Sequence, residues 1–125
     1  MRNPILLVIE DRDMEAFETV TDLEIYLEPV DVRCGLYKVY DADGRQLRIE
    51  ILPDSKSQGI LRGLFSLGRE CVSISEDLHV PVRGDELNAS IRRYLTWVGR
   101  FSEEEVLKMS LAELIRYVPI SAEMP

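Results

Sequence analysis

Asp11 and Asp13, just after the apolar run Pro4–Ile9, are the side chains best spaced for chemistry. Two carboxylates at the end of a buried strand can hold Mg²⁺ or assist a hydrolysis. That chemistry needs a phosphate-binding loop or further ligands, and the sequence supplies neither. Gly59-Ile60-Leu61-Arg62-Gly63 is followed by no Gly-Lys-Ser/Thr and lacks GxGxxG spacing, so it is no nucleotide loop. His79, the only histidine, has no HxH, HExxH or Cys/His company and reads as structural or exposed. Asp41-Ala42-Asp43-Gly44 begins like a calcium loop, but the glutamate such a loop needs at its twelfth position is Leu52. No catalytic residue, metal ligand or cofactor is expected, and the chain is read as non-enzymatic.

The pair belongs to a larger group. Glu10, Asp11, Asp13, Glu15, Glu18, Asp22, Glu24, Glu28 and Asp31 are nine carboxylates with one cation, Arg12, among them. The rest of the chain is close to balanced, so this stretch supplies nearly the whole net charge of −8. Few i,i+4 cations are available to relieve the repulsion. Such a field repels nucleic acid and anionic membranes and draws in a basic partner. A solvated helix face would also account for a charge run. Ile25 raises the docking reading, because it sets an apolar side chain among the acids, as an interface centre sits within a charged rim. Lys56, Arg62 and Arg69 could meet an anion, against the net field. Arg92 and Arg93 read as solubilising charges on the outer face of a helix.

The bulk numbers fit one folded domain: 125 residues, 46% hydrophobic and 30% charged. Pro4–Ile9 is too short to span a membrane, and acidic residues follow it where a signal peptide would have small ones. A cytoplasmic protein is expected. Cys34 and Cys71 lack CxxC spacing and read as small buried hydrophobes, with a disulfide not expected.

These residues must be carried by definite elements. Ile5–Ile9 is a buried strand, followed by a polar connection over Asp11–Glu15. Thr19 caps a helix from about Val20 to Glu28, with Asp22 at N3 and Pro29 preventing much continuation. Its wheel gathers Val20, Leu23, Tyr26 and Leu27 on one side and Thr21, Asp22, Glu24 and Glu28 on the other, with Ile25 amid the polar set. Leu36–Tyr40 and Gln46–Leu52 form a hairpin through the turn Asp41–Arg45. Pro53–Gly68 fits a short helix or a packed loop. Cys71–Ser75 is a strand, and Leu78–Val82, with Pro81, an edge segment. Asp85 caps an amphipathic helix with Leu87, Ile91, Tyr94, Leu95 and Val98 on its stripe and Gly99 at its end. Ser102 with Glu105, then Ser110 with Glu113, open two short helices or one bent one. The expected fold is one α+β domain: an antiparallel sheet of about four strands, helices packed on it, and a mostly helical C-terminal half.

Phe17, Asp22-Leu23-Glu24, Tyr26-Leu27-Glu28-Pro29, Asp31-Val32, Tyr40-Asp41, Gly44-Arg45 and Leu47 together resemble small acidic bacterial immunity-type proteins encoded beside polymorphic toxins. The resemblance spans about a quarter of the chain and includes no catalytic motif. It implies a cognate basic protein toxin as partner, acting in the cytosol, such as a nuclease. The partner-binding residues are then Glu10, Asp11, Asp13, Glu15, Glu18, Asp22, Glu24, Ile25, Glu28 and Asp31. The alternative is a small ligand-binding or regulatory module without enzymatic activity.

Overall fold

In the computed structural model, which describes residues 2–10, 12–53, 70–77, 79–82 and 84–120, the apolar run Ile5–Ile9 is strand β1. It is the middle strand of a three-stranded antiparallel sheet, between β2 (Asp13–Phe17) and β3 (Tyr37–Tyr40). Both faces of β1 are covered, which explains a continuous rather than alternating apolar run. Leu6 and Val8 join one core with Met14, Ala16 and Tyr40. Ile5 and Leu7 join a second core with Phe17, Leu23, Val39 and Leu47.

Strand β2 replaces the polar connection expected over Asp11–Glu15. Its register sets Ile9 against Asp13, Val8 against Met14 and Leu7 against Glu15. The link is tight: Glu10 adopts a left-handed φ of 53°, and the Arg12 amide donates to the Ile9 carbonyl at 3.0 Å. Met14 and Ala16 are buried while Asp13 is exposed, so the segment alternates as a strand should. The outer edge of β2 is occupied by the chain's own C-terminal region. The Ala16 amide donates to the Pro119 carbonyl at 2.9 Å, and Ala16 bridges Ile120 in parallel.

Beyond β3 the expected turn forms, organised by Asp41, which is only 2% exposed. Its carboxylate accepts from the Asp43 and Arg45 amides, each at 3.0 Å, and Gly44 takes a φ of 93°. A Tyr40–Gln46 bridge and a bond from the Leu47 amide to the Val39 carbonyl (2.8 Å) continue the hairpin. The chain then enters β4 (Arg48–Pro53), which pairs with β5 (Glu70–Ser75) as a separate two-stranded antiparallel sheet. The fold is α+β, with its antiparallel strands divided three and two. Val82 bridges Arg45, in keeping with an edge segment there. The Pro53–Gly68 reading lies almost wholly outside the described residues, as do Lys56, Arg62, Arg69 and Leu78.

Helix α1 (Val20–Tyr26) starts at Thr19, whose hydroxyl accepts from the Asp22 amide at 3.2 Å. It ends two residues earlier than expected, and Pro29 opens a further helix, α2 (Pro29–Arg33), that the sequence reading did not foresee. Both pack on the β4–β5 layer. Helix α3 (Gly84–Trp97) buries Leu87, Ile91, Tyr94 and Leu95. Asp85 lies in its first turn instead of capping it. Val98 is 47% exposed, because the helix has already ended at a left-handed Gly99 (φ 75°), with the Arg100 amide closing on the Leu95 carbonyl at 3.0 Å. Arg92 is half-buried and not on a fully solvated face, with its Nε enclosed. Helices α4 (Glu103–Leu107) and α5 (Leu111–Arg116) are two separate helices, each opened by the expected capping box.

Neither cysteine forms a disulfide. Cys71 is half-buried, but Cys34, expected to be buried, is exposed, because it sits at the C-cap of the short surface helix α2.

Candidate functional site

Helix α1 presents Ile25 outward. Asp22 lies one turn before it on the same side, while Glu28 falls beyond the end of the helix, in extended backbone leading into α2. Ile25 is 71% exposed, and Leu23 and Leu27 are buried on the opposite side. The wheel reading of α1 holds for Leu23 and Ile25 but not for Tyr26 or Glu24, and Glu28 lies beyond the end of the helix. Assigned to the apolar side, Tyr26 is 39% exposed, with its ring 5.1 Å from that of Phe17 and its hydroxyl 3.5 Å from a Glu15 oxygen.

The acidic residues do not act as one group. Glu18 and Glu28 are exposed and Asp22 is half-buried, all on or beside α1. Glu28 occupies the N-cap position of α2 without a side-chain capping bond. Asp31, half-buried on α2, accepts from the Tyr37 hydroxyl at 3.4 Å. Glu10 is exposed at the β1–β2 turn. Asp13 is exposed and accepts from the following Met14 amide at 2.8 Å. Asp11 lies outside the described residues, so its pairing with Asp13 is left aside. Among the described residues no group of three or more His, Cys, Asp or Glu side chains is disposed to hold a metal ion.

Glu24 departs from the expected role. Its Oε2 accepts the Ile74 amide of β5 at 2.7 Å, so it ties α1 to the second sheet and is not free to meet a partner. An anionic acceptor on a backbone N–H is a strong bond, and here it satisfies a donor on strand β5. We remove Glu24 from the docking set on this ground.

The structure adds residues that the sequence reading missed. Val30, 59% exposed, comes from the unforeseen α2. Tyr37 lies close enough to the acids to register their charge. Its phenol is pushed up to about 12, first by burial, then by the charge of Asp31, by Tyr26, by the hydrogen bond to Asp31 and by Glu28. These causes place Tyr37, Tyr26, Glu28 and Asp31 within one electrostatic neighbourhood. The one available signal was Pro29, which favours a helix start and so a second outward face.

Several of the described cations are engaged elsewhere. Arg2 pairs with Asp43 at 3.2 Å, and Arg48 with Asp77 at 3.2 Å and Glu50 at 3.9 Å. Arg33, although on α2, pairs with Glu70. That contact raises the Arg33 guanidinium and lowers the Glu70 carboxyl from their usual values, chiefly through their shared hydrogen bond. Arg12, the only cation in the acidic stretch, lies over the Trp97 ring, 5.7 Å from its centroid. Among the described residues no lysine or arginine pairs with Glu18, Asp22 or Glu28.

The arrangement is three exposed apolar side chains, Ile25, Tyr26 and Val30, on two successive helices whose segment also carries Asp22, Glu28 and Asp31. Chemically it can attract and seat cationic side chains around an apolar contact. No helix among the described residues is long and apolar enough to cross a membrane. Compared with protein-family models, with curated proteins and with solved structures, the chain matches none.

Proposed function

We propose that the chain is a non-enzymatic, cytoplasmic inhibitor of the immunity type, docking a cognate basic toxin through the outward face of α1 and α2. The observation that carries this reading is Ile25, 71% exposed between Asp22 and Glu28, with no internal cation to neutralise them among the described residues. The sequence resemblance supplies the class of partner. The carboxylates steer a cationic surface into place, and each adds little affinity, since rim charges remain hydrated. Ile25 provides the desolvated centre where most binding energy resides, with Tyr26 and Val30 as further exposed apolar side chains of the same two helices. Inhibition follows by occlusion of the toxin's active site.

The test is co-expression with the protein encoded by the neighbouring gene, followed by capture on the tagged chain. A complex should form with the wild type and fail with Asp22→Lys, Ile25→Asp and Glu28→Lys combined. A complex that survives the triple substitution removes the α1 face from the interface. Failure of the neighbouring product to bind the wild type at low salt removes the partner assignment.

A further inference from the structure

An open cleft of about 380 Å³ lies between the end of α3 and the segment that follows α5. Tyr94, Val98, Tyr117 and Ile120 give it apolar and aromatic walls, and Arg100 and Arg116 bring positive charge. No carboxylate is among the described residues lining it. In a chain of net charge −8, that is a local inversion of sign. Arg100 is held in place by its aromatic neighbours, with its guanidinium carbon 5.3 Å from the Tyr117 ring centroid and 5.9 Å from that of Phe101. Stacking leaves the edge of a guanidinium, where its N–H donors point, open to an acceptor. Among the described residues neither Arg100 nor Arg116 makes an ion pair. A neighbouring cleft of about 450 Å³ also contains Arg116, but its other arginine, Arg2, is already paired with Asp43.

We infer that the cleft between α3 and Tyr117–Ile120 is a binding site for a small anionic ligand, a carboxylate or phosphate carried on an aromatic or branched apolar body. The volume falls in the range of small-molecule sites, and two arginines among the residues lining a largely apolar cleft match an oxyanion joined to such a body. The oxyanion sits toward Arg100 and Arg116, away from Asp13 and Glu15, whose charges reach Tyr94 from β2. Burial first, and those two carboxylates second, raise the Tyr94 phenol against the opposing effect of Arg100. It therefore stays protonated at neutral pH and able to donate. At long range the negative net charge slows an anion's approach, but screening over about 8 Å at physiological salt leaves the local guanidiniums dominant inside the cleft. The site shares no residue with the α1–α2 face.

The experiment is an amide NMR titration of the 125-residue chain with phenyl phosphate, benzoate and neutral benzyl alcohol. At least one of the two anions should shift amides of residues 94–100 and 116–120 saturably, with a Kd on the order of 1 mM for so small a probe. Benzyl alcohol should bind about tenfold more weakly or not at all, and Arg100→Gln or Arg116→Gln should each weaken the anion about tenfold. Ile25→Asp should leave this binding unchanged, which separates the result from the fate of the docking face. The inference is overturned if neither anion gives saturable shifts there by about 20 mM, well above the expected Kd. It is also overturned if benzyl alcohol binds as well as the anions, or if both glutamine variants, folded by their spectra, bind like the wild type. The comparison of anions with benzyl alcohol uses only the wild type, so it decides the matter even where an arginine variant does not fold.

Discussion

Glu24 and Ile25 are adjacent on α1 and should respond in opposite ways to substitution. Glu24→Ala deprives the Ile74 amide of its acceptor at a partly buried site, which costs roughly 1–3 kcal/mol. Ile25→Asp changes a side chain already 71% in solvent, and its stability cost should stay within about 0.5 kcal/mol. Urea unfolding of both variants checks the pair, and a large loss from Ile25→Asp would mean that Ile25 is part of the core. Tyr37 gives a second residue-level test. Its pKa of about 12 lies above the unfolded value near 10, so the folded state holds the proton longer. The sign follows directly: this contribution is fully present below pH 10 and is lost as pH rises toward 12. Asp31→Asn should lower the Tyr37 pKa yet leave it above the ordinary value, since burial is the larger cause. Absorbance titration of the phenolate reads this, and an unchanged midpoint would deny that Asp31 acts on Tyr37.

The short C-terminal helices depend heavily on their ends. Helices α4 and α5 have five and six residues, too few to persist without capping and tertiary support. Ser102→Ala and Ser110→Ala should each cost about 1 kcal/mol, with the corresponding Ser→Gly changes costing less, as read by thermal unfolding. These caps were visible in the sequence because a capping box is a local pattern, with both partners three residues apart. Strand β1 was visible for a related reason, since burial on both faces writes a continuous apolar run. The elements that escaped notice lack such a pattern. In β2 the alternation of Met14 and Ala16 is masked by Asp13 and Glu15, which made a strand look like a polar link. Helix α2 is a single turn and a half with no periodicity to detect. The site divides in the same way. The outward position of Ile25 follows from the helical repeat of α1 alone. The inward turn of Glu24 depends on Ile74, fifty residues away along the chain, and no local pattern can announce it.

For the whole molecule the relevant quantity is how charge is distributed, more than the net value of −8. The arginines of the described ion pairs serve carboxylates outside the acidic stretch, and among the described residues none pairs with Glu18, Asp22 or Glu28. Steering by that field and retention by the apolar centre are separable in kinetics. Raising salt from about 0.05 to 0.5 M shortens the screening length from roughly 14 to 4 Å, so association with the proposed basic partner should slow by tenfold or more while dissociation changes little. Asp22→Lys with Glu28→Lys should reproduce the slow association at low salt and flatten the salt dependence. Ile25→Asp should do the reverse, leaving association near the wild-type rate and speeding dissociation by at least an order of magnitude, as expected of a buried interface centre. Surface plasmon resonance across a salt series measures both rates. A complex whose association rate ignores salt would show that the carboxylates do not guide the encounter, even if Ile25 still anchors it.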